Sequence, residues 1–369
     1  MSTPATDSDI AKIDPNFAPA RVDDREVVWH NAALAPFSVE GLPLRTGPDA
    51  PFWRLPGPTG APYVMQDTEG GLLRNTAGVC VRFRSDSRVV AIRALLKDSR
   101  DMNHMPRAGS AGFDLYCGAW PNTRHVGTAQ PNRDETELVR MLRPRGDEDV
   151  GMESWQLNFP LYGGVAAVQI GLSPGATVEP PSPHRIGRIC FYGSSITQGG
   201  CASRPGNAYT TMVCRALDAE QINLGFSGCA RGEIAMAELI ASLDGLAAFV
   251  LDYDHNAPNA EHLAATHEPF FRAFRARRPD LPVLVMSRPD VWPDWSSAII
   301  QRREIVRTTV EHALAAGDRH VRFLDGATLF GTEHRDDCSV DRCHPNDLGF
   351  RRMADAVIPA LRDLLHLPS

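Results

Sequence analysis

The sequence has no surplus of positive charge: 38 Lys and Arg stand against 45 Asp and Glu, a formal charge of −7. With no basic stripe to offset that balance, nucleic acid is excluded as the main partner. The Arg-rich patch Phe274-Arg-Ala-Arg-Arg278 reads as the polar end of an amphipathic helix. No apolar run is long enough to span a bilayer. Met1 to Ala18 lacks a basic segment followed by an apolar one, so no secretory signal is legible and a cytoplasmic protein is expected. The eight cysteines (Cys80, Cys117, Cys190, Cys201, Cys214, Cys229, Cys338 and Cys343) form no CxxC pair, which excludes a zinc ribbon and a dense disulfide framework. Free, buried thiols are expected; a bridge between Cys201 and Cys229, both near motif loops, is the exception kept open. Gly193 to Gly200 lacks both the GxGxxG spacing and a closing Gly-Lys-Ser/Thr, so dinucleotide and P-loop chemistry are unsupported.

What is present suits two domains in 369 residues. Residues 1–27 read as an N-terminal extension and residues 28–178 as an all-β sandwich. Val79, Val81 and Phe83 alternate with Cys80, Arg82 and Arg84, a period-two pattern with one buried face. Val89 to Leu96 follows a Ser-Asp-Ser-Arg turn, which predicts a hairpin. In Ala166 to Leu172, Val168, Ile170 and Leu172 share a face. Ala111 to Cys117 predicts a strand carrying Asp114 and Tyr116. Taken alone this is a strand with one solvated acid, though both residues are candidates to reach a cleft. Ser173 to Ile186 is rich in proline and reads as an extended linker.

Residues 179–369 change pattern. Short apolar runs at Ile189–Tyr192, Ile222–Leu224, Ala247–Leu251, Val283–Met286 and Val321–Leu324 alternate with helical stripes such as Ile305, Val306, Thr309, Val310, Ala313 and Leu314. A last amphipathic segment runs from about Asp347 to Leu365. Strand–helix alternation implies an α/β fold: a parallel sheet with helices on both faces, flavodoxin-like and doubly wound.

In such sheets ligands bind at the carboxyl ends of the strands, and four of those ends carry chemistry. The first runs into Gly193-Ser-Ser195, a turn that presents a hydroxyl. The second ends in Asn223-Leu-Gly-Phe-Ser-Gly228, a turn able to expose backbone N–H groups. The third ends in Asp252-Tyr-Asp-His-Asn256, which places an amide. After the fifth comes Asp341-Arg-Cys-His344, whose spacing lets a carboxylate hold one imidazole nitrogen while the other faces a nucleophile. Each block alone reads as ordinary structure: a turn glycine, an Asx-turn, a helix-entry histidine. Together they supply what ester cleavage through an acyl-enzyme requires.

These four blocks, in this order, resemble the SGNH or GDSL-type serine hydrolases. The resemblance implies Ser195 as nucleophile, Asp341 and His344 as acid and base, and an oxyanion hole made by the N–H groups of Ser195 and Gly228 and the amide of Asn256. Two positions depart from the family pattern: its usual Asp before the nucleophile is Ser194, and its Gly-x-Asn-Asp block is Asp254-His-Asn-Ala257. Gly112-Phe-Asp-Leu-Tyr116 is similar to the Gly-x-Asp-Leu-Tyr signature of a jelly-roll-like domain that precedes some members. Gly193-Ser-Ser-Ile-Thr-Gln-Gly-Gly-Cys-Ala-Ser-Arg-Pro-Gly206 is typical of the same branch. The implied activity is hydrolysis of short acyl esters, often acetyl esters on carbohydrates, with no metal or organic cofactor. The expected partner is a small-molecule or oligosaccharide ester, and self-association stays open.

Arg204, Tyr209, Arg231 and Glu233 follow the first two blocks and are candidates to line the pocket. Trp292 and Trp295, on the loop after the fourth strand, are candidates to stack on a sugar ring. Two rivals remain: acyl transfer from the same intermediate, and a carbohydrate-binding protein whose hydrolase site has decayed. Retention of Ser195, Asp341 and His344 together argues against decay.

Overall fold

The computed structural model describes residues 20–98, 101–144, 151–289 and 296–368. Its first part is two facing antiparallel sheets. One runs β1 (Ala20–Val22), β2 (Arg25–Asn31), β10 (Gly164–Leu172), β5 (Val89–Asp98), β8 (Glu137–Pro144). The other runs β11 (Val178–Glu179), β4 (Cys80–Ser85), β9 (Glu153–Asn158), β6 (Phe113–Cys117), β7 (Arg124–Ala129), with β3 (Ser38–Glu40) also pairing with β4. The alternation in the sequence becomes the core between them: Val81 and Phe83 from one sheet meet Val168, Ile170 and Leu172 from the other. A core shared by two facing sheets is what a sandwich requires.

Three local expectations change. The hairpin across Ser85 to Arg88 does not form, because β4 and β5 lie in different sheets. The crossing segment is pinned by Ser87, whose Oγ donates to the Val89 carbonyl at 2.6 Å and accepts from Ser173 N–H at 2.8 Å. A period of two fits two strands of one sheet or of facing sheets equally well, so the sequence pattern does not decide between them. The stretch 1–27 contributes β1 and the start of β2, whose Val22 and Val27 pack with Val89 and Ala91. The proline-rich stretch contains β11, where Val178 and Glu179 pair with Ser85 and Arg84.

The second part is one parallel sheet, with β12 (Ile186–Gly193), β13 (Ala219–Gly225), β14 (Leu246–Asp252), β15 (Val283–Met286) and β16 (Val321–Leu324) in the order β13-β12-β14-β15-β16. Each strand covers one of the apolar runs. That order is the flavodoxin-like one, and its switch point lies between β12 and β14. β12 is buried on both faces, which its unbroken apolar run requires. Ile189 and Phe191 pack with Val213 of a helix at Tyr209–Leu217 and with Phe350 and Val357 of one at Asp347–Leu364. Cys190 and Tyr192 pack with Ile240, Phe270 and Val306, from helices at Ile234–Ser242, Ala260–Arg277 and Ser297–Ala315. With the short helices Arg107–Ser110 and Ser195–Gln198 these are α1 (Arg107–Ser110), α2 (Ser195–Gln198), α3 (Tyr209–Leu217), α4 (Ile234–Ser242), α5 (Ala260–Arg277), α6 (Ser297–Ala315) and α7 (Asp347–Leu364). No helix among the described residues is long and apolar enough to cross a membrane.

Sandwich and α/β layer are joined by buried polar groups. Asp114 on β6 is fully buried, and its carboxylate accepts from Arg204 Nη1 at 2.8 Å, Gly206 N–H at 2.8 Å and Asn158 Nδ2 at 2.9 Å. Arg204 also donates to the Tyr116 hydroxyl and lies over its ring. On the other side of the junction, buried Arg54 donates to the carbonyls of Asn223, Gly225 and Leu72. Charge-assisted bonds in a dry site are strong, and costly to break one-sidedly. Replacing Arg204 with alanine is therefore expected to lower stability by about 3–5 kcal/mol, because Asp114 loses its counter-charge. Urea unfolding measures this, and a loss below about 1 kcal/mol would mean that Asp114 is stabilised by its neutral donors alone.

Candidate active site

β12 ends at Gly193, where a Cβ would meet Thr197 Oγ1 at 2.1 Å and the Asp252 carbonyl at 2.3 Å, so only glycine fits. The chain then turns into α2. Ser194 caps it: its side chain accepts from Ile196 N–H at 3.1 Å. Serine and aspartate are both good N-caps, which accounts for serine at the position where the family pattern has aspartate. Ser195 is the first residue of the helix, 5 % exposed.

Its Oγ lies 2.9 Å from His344 Nε2, and His344 Nδ1 lies 2.8 Å from Asp341 Oδ2. The Asp-x-x-His segment is a tight turn with Arg342 in the left-handed region at φ +67°. Within it Asp341 Oδ1 accepts from His344 N–H at 2.7 Å and Cys343 N–H at 3.0 Å. Burial alone would raise the Asp341 pKa, but the backbone and ring N–H of His344 outweigh it and hold the carboxyl below its ordinary value. His344 is pushed up to about 9, first by the adjacent Cys343 thiol and then by Asp341, against the opposing effect of burial. Cys343 Sγ also sits 3.1 Å from His255 Nε2, and burial holds that second imidazole neutral, down to about 3.

The second and third blocks meet at this point. Gly228 takes φ +69°, a left-handed conformation suited to glycine, and no atom beyond its two chain neighbours lies within 4 Å of where a Cβ would stand. The turn before it is fastened to α2: Gln198 Oε1 accepts from Ser227 N–H at 3.0 Å, and Asn223 Nδ2 donates to the Thr197 carbonyl at 2.7 Å. Asn256, in the short turn after β14, donates one amide hydrogen to the Phe226 carbonyl at 2.8 Å. This fixes its amide and leaves the other N–H for a further acceptor. Under α2, Asp252 is buried and accepts from Thr197 Oγ1 at 3.0 Å and the Tyr209 hydroxyl at 2.9 Å. Burial, and the neighbouring Asp254, push its pKa up to about 8.

Several candidates have other work. Tyr209 is fully buried, bonded to Asp252 and stacked on Phe350, so it is a core residue and not a pocket wall. Arg204, Asp114 and Tyr116 form the interdomain clamp, where Asp114 has no exposed surface to offer a substrate. Arg231 is held through its backbone, its N–H on Glu233 and its carbonyl on His262, and no contact brings it to Ser195. Glu233 bonds to the Tyr192 hydroxyl at 3.0 Å. Trp292 and Trp295 lie outside the described residues. All eight cysteines are free, so Cys201 and Cys229 are not bridged: Cys201 lies beside His344, and Cys229 packs against the core on the other face of the sheet.

Other neighbours carry no legible signal in the sequence. Tyr162, in the loop after β9, donates to the Ser195 carbonyl at 3.4 Å, and Gln198 Nε2 reaches Asn75 Oδ1 at 3.1 Å and the Leu161 carbonyl at 3.0 Å. His104, from the segment between β5 and β6, sets its ring 5.7 Å from that of His344. The sandwich therefore lines the site. A loop residue with no periodicity gives no sign of this in the sequence; Gln198 and Asn223 at least lie inside the blocks.

Comparisons with known proteins bear on the family and the fold. A family model described as the GDSL-like lipase/acylhydrolase family matches residues 187–362, and one described as the GxDLY N-terminus of SGNH-hydrolase-type esterases matches residues 27–178. Among curated proteins, none matches the chain's sequence. A structure from Bacteroides ovatus described as a GDSL-like lipase is 26 % identical, with a TM-score of 0.79, covering 93 % of this chain and 99 % of that one. The salicylyl-acyltransferase SsfX3 from a tetracycline biosynthetic pathway is 21 % identical with a TM-score of 0.75 (92 % and 97 % covered). A family two carbohydrate esterase from Cellvibrio japonicus is 13 % identical with a TM-score of 0.59 (92 % and 98 % covered). The last two likenesses are likenesses of fold.

In metal-free buffer the His344 imidazole should titrate well above 6.5, towards 9, when followed by NMR. Cys343→Ala and Asp341→Asn should each bring it back towards 6.5, since each removes a group that favours the cation. A His344 titration at 6.5 in the unaltered protein would show that burial cancels both neighbours, and one below 6.5 that it outweighs them.

Proposed function

We propose that the chain, matched over residues 187–362 by the GDSL-like lipase/acylhydrolase family and over residues 27–178 by the N-terminus of SGNH-type esterases, is a serine esterase cleaving short acyl esters, acetyl foremost, on a carbohydrate or other small molecule. The observation that carries this is the unbroken line from Ser195 Oγ through His344 to Asp341, at 2.9 and 2.8 Å. In the proposed reaction, Ser195 Oγ attacks the ester carbonyl and His344 Nε2 takes its proton. Asp341 holds the imidazole in the required tautomer and stabilises the cation formed. The N–H groups of Ser195 and Gly228 and the free amide hydrogen of Asn256 receive the oxyanion. The protonated imidazole then gives its proton to the leaving alcohol, and water, activated by the same base, releases the acid. The carbohydrate preference is supported by the carbohydrate esterases that share the two-part fold.

A second reading rests on the higher fold similarity to an acyltransferase, 0.75 against 0.59. Here an alcohol replaces water in the second half-reaction. Hydrolysis is distinguished from transfer by product analysis with an added alcohol acceptor.

The test is turnover of p-nitrophenyl acetate, butyrate and octanoate near pH 9, where His344 is half neutral, followed by a panel of acetylated sugars. Ser195→Ala and His344→Ala are each expected to lose at least about 10⁴-fold in kcat. Asn256→Ala should lose about 10²–10³-fold, mainly in kcat. Unchanged turnover in Ser195→Ala would remove Ser195 as nucleophile. Octanoate turned over faster than acetate would overturn the short-acyl reading.

A further inference from the structure

Beside the line of Ser195, His344 and Asp341 lie two donors that the proposed reaction does not use, His104 and Cys201, and they share His344 with it. One ring nitrogen of His104, the sulfur of Cys201 and one ring nitrogen of His344 lie within 4.8 Å of one another. The two histidines are oriented alike. His104 Nδ1 lies 2.8 Å from Asn103 Oδ1, and His344 Nδ1 lies 2.8 Å from Asp341 Oδ2, which in each neutral ring leaves Nε2 as the nitrogen with a lone pair. An acceptor behind a ligating imidazole is the usual outer shell of a protein metal site. Cys201 is held in the left-handed region at φ +75°, a costly conformation for a residue with a Cβ, and one that places its buried thiol beside both rings.

The geometry points to a binding site for a soft divalent cation, Zn²⁺ foremost, formed by His104, Cys201 and His344 and acting as a reversible off-switch. Two imidazoles and a thiolate are a zinc donor set, with the fourth, tetrahedral position left open. Bond lengths of about 2.0–2.3 Å require the donors to close to roughly 3.3–3.6 Å, a small contraction for three side chains already within reach. Binding displaces the Cys201 proton to solvent and occupies His344 Nε2. The neighbouring trio of Asp341, Cys343 and His344 is a poorer site, because Asp341 and His344 already face one another through their hydrogen bond and Cys343 is engaged by His255. Binding stands on these residues alone. Its inhibitory consequence rests on His344 being the base in the proposed esterase reaction.

The experiment separates the two. The full-length protein, stripped with chelator, is titrated with Co²⁺ as a spectroscopic stand-in for Zn²⁺. One equivalent should give a thiolate-to-cobalt charge-transfer band and the intense visible bands of a tetrahedral site, both abolished by Zn²⁺. Cys201→Ser should lose the charge-transfer band and Cys343→Ser should keep it. No charge-transfer band, or one that survives in Cys201→Ser, overturns the site whether or not the protein is an esterase. Zn²⁺ is then titrated into the ester assay, each variant scaled to its own uninhibited rate. His104→Ala and Cys201→Ser should each raise the half-inhibiting concentration at least tenfold, with chelator restoring the rate in the unaltered protein. Equal inhibition in all three would mean that His344 and Ser195 capture the ion unaided, and would overturn the switch.

Discussion

A carboxylate with no exposed surface holds the two halves of this protein in register. Asp114 lies on a strand of the sandwich, but two of its three donors, Arg204 and the N–H of Gly206, belong to the loop that follows α2. A buried charge cannot drift from its partners without losing several kcal/mol, so the clamp fixes where that loop runs. From the loop, Ser203 and Asn207 bind Asp347 at the start of α7, directly after the Asp-x-x-His turn. One ion pair is thus connected, through its loop and the hydrogen bonds to Asp347, to the segments that carry Ser195 and His344.

The second constraint lies beneath Ser195. α2 is only four residues long, too short to be stable alone. It is held by side chains reaching in from three directions: Asn223 from β13, Asp252 from β14, and Gln198 of its own turn reaching out to Asn75 and Leu161. Gln198 also holds Ser227, next to Gly228, so the proposed oxyanion turn is fastened to the helix that begins with Ser195. Such preorganisation lets donors stabilise a developing charge without first having to reorient.

The chemical groups were legible in the sequence because each is local: a turn glycine before Ser195, a carboxylate three residues before His344, an apolar run ending where the group begins. Parallel strand order was legible for the same reason, since alternating strands and helices leave few topologies. Groups whose meaning depends on a distant partner were not. Tyr209 follows a motif loop and suggests a pocket wall, yet its hydroxyl is claimed by Asp252, 43 residues away. Asp114 and Arg204, 90 residues apart, each suggest a substrate contact and instead bind one another. Sheet membership of β4 and β5 was hidden because a two-residue period records which face is buried, and not which sheet does the burying. His104 comes from a segment without period or motif, and only the packing of two domains brings it near His344.

The buried acid beneath Ser195 has a consequence for the conditions in which the proposed reaction can run. Asp252, raised to about 8 from an ordinary value of 3.8, keeps its proton in the fold over a range where the unfolded chain has lost it. Folding therefore takes up a proton, and stability falls as pH rises from about 3.8 to about 8. His344, raised from 6.5 to about 9, has the same sign: the stabilisation of its cation is whole below 6.5 and gone above about 9. Yet the imidazole can accept a proton only once it has lost its own. Alkali thus arms the proposed base while loosening the platform under it, so the range for the proposed reaction is bounded on the acid side by chemistry and on the alkaline side by the fold.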